Sequence, residues 1–458
     1  MLKRLSLSPD LAAEIRRILS LAWPVALTSF NWTILQITDV AVVGLTGTEA
    51  SAAFGASRTL TFVAIMVGLG CLTGVLVHVS RADGAGDAPR TGAVLHQGLV
   101  LAAAVGMIVG LALHFLAGRM LAAIGVAPEI APAAADVVRV MAIAYPFQLL
   151  MIAASFFLEG VSRPRRVMVV NLGMLPLNAL LAWAWSGGHF GLPRWEAVGA
   201  ASATALASAA GAVGMLVAVA TLPDARERGV GALRGIANAA TLRGAGGLLA
   251  FGIVPAFASG LELAGFSILI VLSTQLGEAV THAFQIVFSI HNVSFGLALG
   301  LGSAAGVRAG NAVGEGRRDD VARRAIIAAV LAAIVTGALA LVALVLRVPL
   351  VDAFPASDEV HRLAIGMLLI WAPFILFDAV QVVFVYTLRS LGDQVAAGLS
   401  SILAFFVVTG GMGVALVHGG FGPNALVVAS VSGMVAAAVL QGGRLAWITG
   451  RRPVPPRS

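Results

Sequence analysis

The sequence predicts an all-α membrane protein with twelve transmembrane helices arranged as two parallel six-helix repeats. Three observations carry this. The 458-residue chain is 59% hydrophobic and 11% charged, against roughly 45–50% and about 25% in a soluble domain. Its mean hydropathy of +0.96 extends along the whole length, which calls for many spans of about 20 apolar residues each, not one anchor. The chain also repeats a pattern at half its length.

Polar residues, glycine and proline punctuate the apolar runs and mark out the elements in order. The first helix is expected at 18–44. Lys3 and Arg4 precede it, but Asp10, Glu14, Arg16 and Arg17 intervene and the run is too long for a signal-peptide core. The next five are expected at 52–80, 92–117, 133–160, 165–186 and 196–221. The second set falls at 244–273, 279–307, 324–347, 361–388, 394–418 and 423–446. Several exceed the bilayer's need, which tilt or an emergent end absorbs.

Charge gives the expected orientation. With the N-terminus inside, only Arg58, Arg119, Arg139, Arg194, Arg347 and Arg362, of 29 Lys and Arg, fall on the outer side. The positive-inside rule therefore places both termini in the cytoplasm. The net charge of +7 comes from short clusters between apolar runs, so it reads as topology and not as a nucleic-acid surface. Cys71 is the only cysteine; it excludes an internal disulfide and disfavours a thiolate metal site.

The repeat is visible in Gly68-Leu-Gly-Cys-Leu-Thr-Gly-Val75, which recurs as Gly300-Leu-Gly-Ser-Ala-Ala-Gly-Val307, with Pro24 answered by Pro255 and Pro146-Phe147 by Pro373-Phe374. Six helices per half is even, so both halves begin on the same side and are parallel repeats, whose interface commonly holds a transport site. The expected domains are an N-terminal lobe at 1–221, a cytoplasmic linker at 222–243 and a C-terminal lobe at 244–458. The Gly70/Gly74 and Gly302/Gly306 pairs are read as close helix packing. They are not a dinucleotide loop, for GxGxxxG lacks the spacing and no strand precedes it.

Ionisable groups deep in apolar spans cost about 2.5–3.5 kcal/mol or more each. Asp39, Glu262 and Asp378 are three such groups, and the half-chain register sets them against Ile270, Asn31 and Met151. The fold needs no carboxylate there, so these acids are the candidate ion sites. Thr28, Asn31, Thr38 and Asp39 share one arc of about 100° on the first helix. Thr281, His282, Gln285, Ser289 and Asn292 form a second stripe on the eighth, and Asp378 and Gln381 are i, i+3 neighbours on the tenth. Together these stripes predict a wet central cavity. Asn31, Gln36 and Asn178 are expected to line it from the N-terminal half, and His282, Gln285, Asn292 and Gln381 from the C-terminal half. For the amides the alternative is plain interhelical hydrogen bonding. Neither His282 nor His291 has metal-ligand spacing around it, and His291 lies off the stripe. Glu159, beside Arg163, reads as an interfacial ion pair.

The residues around these acids resemble the multidrug and toxic compound extrusion (MATE) family, in its NorM-like branch, along nearly the whole chain. The pieces that carry the resemblance are Ile37-Thr-Asp-Val-Ala-Val-Val-Gly44, Gly260-Leu-Glu-Leu-Ala-Gly-Phe266, Gly306-Val-Arg-Ala-Gly-Asn-Ala-Val-Gly-Glu-Gly316 and Phe377-Asp-Ala-Val-Gln-Val-Val383 followed by Leu388-Arg389. The resemblance implies a V-shaped pair of six-helix lobes in the bacterial inner membrane, exporting lipophilic, often cationic compounds in exchange for sodium ions or protons. It also implies that Asp39, Glu262 and Asp378 match the acids of the family's first, seventh and tenth helices. Ala182 stands where many relatives place an aspartate, and Phe284 replaces a common histidine. The first departure weakens an N-terminal cation site and leaves Glu262 and Asp378 as the better coupling pair and the candidate Na+ ligands.

No cofactor is expected beyond the coupling ion, no nucleic acid partner, and a monomer. A flippase for lipid-linked saccharides is the competing reading, and central acids with basic residues at helix ends weigh against it, because pyrophosphate needs a cationic cradle. An intramembrane enzyme lacks its motifs, with no HExxH and no GxSxG. A channel or receptor fits asymmetric acids in a repeat less well. Sodium and protons are not distinguished, since buried carboxylates serve either.

Overall fold

The computed structural model describes residues 9–231 and 238–450. Lys3, Arg4, Arg234, Arg451, Arg452, Arg457 and the 232–237 stretch of the expected linker lie outside the described residues. Among the described residues, twelve helices are long and apolar enough to cross a membrane, and each coincides with one of the twelve expected segments.

In chain order the first six are α1 (Pro9–Gly44), α2 (Thr48–Gly84), α3 (Ala88–Ala123), α4 (Ala131–Gly160), α5 (Pro164–Gly187) and α6 (Glu196–Ala220). Then come α7 (Ala239–Leu276), α8 (Glu278–Gly314) and α9 (Asp319–Val345). A short α10 (Arg347–Asp352) follows, and the tenth span is built from α11 (Asp358–Trp371) and α12 (Ile375–Leu391), joined by a 3-10 turn at Ala372–Phe374. Pro373 explains that break, since it has no N–H for the helix ladder. The eleventh span combines α13 (Gln394–Ser401), a π-helical stretch Ile402–Gly410 and α14 (Gly411–His418); α15 (Asn424–Gly450) is the twelfth.

Local chemistry sets the ends. The Asp87 carboxylate accepts from the Arg90 N–H at 3.0 Å and starts α3, satisfying one of the donors a helix start leaves open. Ser357 caps α11 through the Val360 N–H. Gly188 after α5 and Gly392 after α12 are left-handed, at φ 73° and 86°, the stop that glycine makes without a Cβ penalty.

The chain packs as two compact units. One, the N-terminal unit, runs from Leu27 to Ala256; the other, the C-terminal unit, joins the chain up to Ala26 to the chain from Phe257 onward. The divisions therefore fall inside α1 and α7, two residues after Pro24 and one after Pro255. Each of these two long helices contributes one half to each unit. In the N-terminal unit the start of α7 lies against α2 so tightly that a Cβ on Gly70 would sit 2.5 Å from the Ala256 Cα. In the C-terminal unit the start of α1 lies against α8, where a Cβ on Gly300 would sit 2.6 Å from the Ala22 carbonyl oxygen. Backbone approach of this kind is what small residues in apolar helices allow, so the repeated glycines do serve packing.

A buried ion pair anchors the first half of α1 within the C-terminal unit: Arg308 on α8 donates through Nε and Nη2 to both oxygens of Glu14, at 2.7 and 2.6 Å. Such a two-point geometry fits a planar guanidinium to a carboxylate. The core of this unit is rich in rings, with Phe284, Trp371 and Phe405 fully enclosed.

Candidate functional site

Asp39, on the second half of α1, is buried inside the N-terminal unit. Asn178 of α5 donates to its Oδ1 at 2.6 Å, and Thr204 of α6 donates to its Oδ2 at 3.0 Å. Asn31, two turns earlier on α1, donates to the Asn171 carbonyl at 2.9 Å. Asn31 and Asp39 of the first-helix stripe thus face α5 and α6 within the unit. Two amide oxygens there, Asn31 Oδ1 and Asn178 Oδ1, are buried with no hydrogen-bond partner among the described residues. Such orphan acceptors are costly in a dry interior, and a small cavity of about 30 Å³ lies against both of these residues.

A larger cavity of about 90 Å³ is lined by Asp39. Trp32, Phe54 and Phe62 wall it, and Gln36, Arg58 and Thr204 give it polar groups. Arg58, allotted by the sequence reading to the outer side, is among these polar groups. It lies ten residues into α2, about 15 Å along the helix, and donates to the Gln36 side-chain oxygen inside the cavity. Ala182 is fully buried in an apolar cluster with Ala200 and Ala201.

The C-terminal unit holds the second pair of acids. Asp378 on α12 is buried; Gln381 donates to its Oδ1 at 3.2 Å, and His291 Nε2 of α8 lies 3.5 Å from its Oδ2. Glu262 on α7 is half-buried and within electrostatic range of both Asp378 and Arg389. Aromatic rings enclose the group: His291 lies 5.2 Å from Trp371 and 6.2 Å from Phe288, centroid to centroid. Phe284 packs against Trp371, so this position is part of an apolar wall.

The structure separates the two histidines of α8. His291 is buried beside Asp378, whereas His282, Gln285 and Asn292 are exposed on another face of α8 and do not join the Asp378 cluster. Of the expected residues, then, Asp39, Asn31, Gln36 and Asn178 come together in one unit, and Glu262, Asp378 and Gln381 in the other. Sequence reasoning missed Thr204, Arg58 and His291 as neighbours of the acids. A signal existed for Arg58, an arginine nearly three turns inside an apolar helix. None existed for Thr204, one small polar residue among alanines.

Twelve apolar helices in two repeats, each unit enclosing a carboxylate in polar contacts, define a multi-pass membrane transporter and not an enzyme. The MatE family profile matches residues 24–184 and 255–416. The chain belongs to the MATE family of transporters. It is 30% identical over 401 residues to the probable multidrug resistance protein NorM of Rhodopseudomonas palustris, covering 86% of this chain and 83% of that one. It is 26% identical to the multidrug resistance protein PmpM of Pseudomonas aeruginosa, over 95% of this chain and 91% of that one. The structure of a multidrug resistance MATE family transporter of the MOP superfamily, in an outward-facing conformation, superposes with a TM-score of 0.85 at 19% identity, covering 96% and 97% of the two chains.

Proposed function

We propose that this protein is an antiporter of the bacterial inner membrane, with both termini cytoplasmic, that exports lipophilic compounds bearing a cationic centre and is driven by entry of sodium ions or protons. One observation carries this reading: buried carboxylates are held by neutral donors, Asp39 by Asn178 and Thr204 and Asp378 by Gln381. Among the described residues no arginine or lysine hydrogen-bonds to either carboxylate, and a low-dielectric surround strengthens its attraction for a passing cation.

Glu262 and Asp378 are the coupling acids in this reading, and the candidate ligands if the ion is sodium. Asp39 serves the N-terminal unit, where the orphan oxygens of Asn31 and Asn178 add acceptors suited to an ion or an ordered water. Asn31, Gln36, Asn178 and Gln381 offer polar contacts to cargo within their units, and His282, Gln285 and Asn292 do so from the exposed face of α8. A cation neutralising a carboxylate removes the attraction that holds a cationic cargo, so uptake of one favours release of the other.

The test is efflux of a lipophilic cationic dye from proteoliposomes containing the purified protein, with a sodium gradient and a proton gradient imposed separately. Efflux should follow one gradient and be absent without either. Dye retention unaffected by both gradients, with lipid-linked saccharide crossing the bilayer instead, would establish a flippase.

A further inference from the structure

Three of the chain's seven tryptophans, Trp183, Trp185 and Trp195, gather at the corner where α5 turns into α6. The corner is tightly built. Gly188 is left-handed and ends α5, with its N–H on the Ala184 carbonyl. His189 then folds back, its Nδ1 lying 2.9 Å from the Trp183 carbonyl oxygen and its ring stacked on the Trp183 indole, centroids 3.7 Å apart and 14° from parallel. The Trp195 N–H donates to the Trp185 carbonyl at 2.9 Å and closes the corner. Arg194 donates to the Thr46 carbonyl, just past the end of α1.

This scaffold holds Phe190 at a cost. Its φ is 59°, a backbone region that bulky side chains rarely enter, and its ring is 78% exposed, meeting Trp183 edge-on at 5.6 Å. Leu192, Trp183 and Trp195 are exposed beside it. Strain of this kind persists where the surroundings over-determine it, and a phenyl group left outside the core gains from an apolar partner beyond the chain. The position of the corner names that partner. It joins two helices long and apolar enough to cross a membrane, so it lies where hydrocarbon gives way to headgroups, the level at which tryptophans collect.

We propose that the 183–195 corner is a membrane anchor, with the Phe190 ring seated among the acyl chains of the outer leaflet and Trp183 and Trp195 at the headgroup border. The choice of leaflet rests on the orientation given above, with both termini cytoplasmic. Through Arg194 and Thr46 the anchor reaches the end of α1, so it fixes the second half of that helix at the lipid border together with α5 and α6.

A fluorescent label tests the anchor. Cys71→Ala with Leu192→Cys keeps Phe190 in place and puts one NBD group beside it, and the same label at Glu227→Cys, exposed in the linker, is the aqueous reference. Each protein is reconstituted into vesicles containing a lipid with a nitroxide on its acyl chain. The label at 192 should emit to the blue of the reference and be quenched by the nitroxide lipid. Phe190→Gly isolates the ring, because glycine adopts φ 59° without steric cost and the turn is kept. It should move the emission toward the reference and remove most of the quenching, with no fall in the unfolding midpoint in detergent.

Emission and quenching equal to the reference would overturn the proposal. So would a label shielded from lipid nitroxide and from added dithionite alike, for protein and not lipid then covers the corner. Quenching unchanged in Phe190→Gly would overturn it too, since the ring then anchors nothing. Impermeant dithionite, added to vesicles of determined orientation, should bleach the label from the outer face. Bleaching from the cytoplasmic face, with the nitroxide quenching retained, would sink the orientation and support the anchor.

Discussion

Arg228 and Arg324 hold equivalent carboxylates in the two repeats, although the two arginines come from non-equivalent places in the chain. Arg228 donates to Asp83 at 2.9 Å, and Arg324 donates to Glu315 at 3.0 Å. The register that aligns Gly68 with Gly300 aligns Asp83 with Glu315, but it aligns Arg324 with Gly92. At Gly92 a Cβ would lie 1.8 Å from the Arg228 carbonyl oxygen. The linker backbone fills the place of the missing side chain, and its own arginine supplies the missing guanidinium. Arg228 also donates to Asp224 at 2.6 Å and to Thr91 at 2.9 Å, which straps the start of the linker to α2 and α3.

That strap should be a stability element. Arg228→Ala leaves Asp83 and Asp224 without their shared partner and should lower stability by about 1.5–3 kcal/mol, the usual range for hydrogen bonds to charged groups. Gly92→Ala should cost at least as much, because its methyl group meets backbone and not a movable side chain. Thermal unfolding of the detergent-solubilised variants checks both. An unchanged midpoint in Gly92→Ala would show that the linker does not rest on α3.

The strap should also loosen in acid. Burial alone would raise the Asp224 carboxyl, but hydrogen bonding and charge from Arg228 outweigh it and hold the carboxyl below its usual value. A depressed folded value means that the contribution is complete above the unfolded value of about 3.9 and is lost as pH falls below it, through the folded value. Arg228 itself is raised, since its bonds to Asp224 and Asp83 outweigh burial, so it keeps its charge at any neutral or acid pH. Protease cleavage in the 222–231 segment should therefore rise below about pH 4 in the parent. In Arg228→Ala, cleavage should be high at pH 7 already and change little with acid.

How much of this was legible beforehand differs by feature. The twelve spans were readable because an apolar run of about 20 residues has one outcome in a bilayer. The three acids were readable because their burial is costly. Their neighbours were not, because pairing across helices depends on rotation about each axis: His291 and Asn292 are adjacent in sequence, yet one is buried at Asp378 and the other is exposed. The unit divisions inside α1 and α7 are marked only by Pro24 and Pro255, which the sequence shows as a repeated pair and not as a division, since a helix passing between packing partners keeps the same apolar sequence. The π-helical stretch Ile402–Gly410 is unmarked in its own residues. Its trace lies elsewhere, in Gly265 of α7, where a Cβ would sit 2.1 Å from the Phe405 carbonyl oxygen.

Gly265→Ala should accordingly be among the more destabilising single-atom additions in the C-terminal unit. The new methyl would press on backbone of the π-helical stretch one turn from Glu262, and overpacking of this kind costs about 1–3 kcal/mol. Unfolding in detergent measures the cost, and Gly443→Ala, where a Cβ meets nothing within 4 Å, is the control. Equal midpoints for the two would show that the π-helical stretch yields without strain.

The two acids proposed to couple transport permit the sharpest prediction. Glu262 and Asp378 share one unit and lie within electrostatic range of each other, with His291, Gln381 and Arg389 around them. Glu262→Gln and Asp378→Asn keep shape and most hydrogen bonding while deleting charge. Each variant should insert and fold, and the Asp378→Asn amide still has Gln381 as a partner. Gradient-driven efflux should fall at least about tenfold in either single variant, and the double variant should do no worse than the more impaired single one, because residues acting as a unit are not additive. Asp39→Asn should also impair export, but in combination with Asp378→Asn its loss should add, since the two acids belong to different units and share no partner. Additive losses for Glu262→Gln with Asp378→Asn would mean two independent ion sites in the C-terminal unit. Efflux at the parent's rate in that double variant, with unchanged ion dependence, would mean that neither acid couples transport.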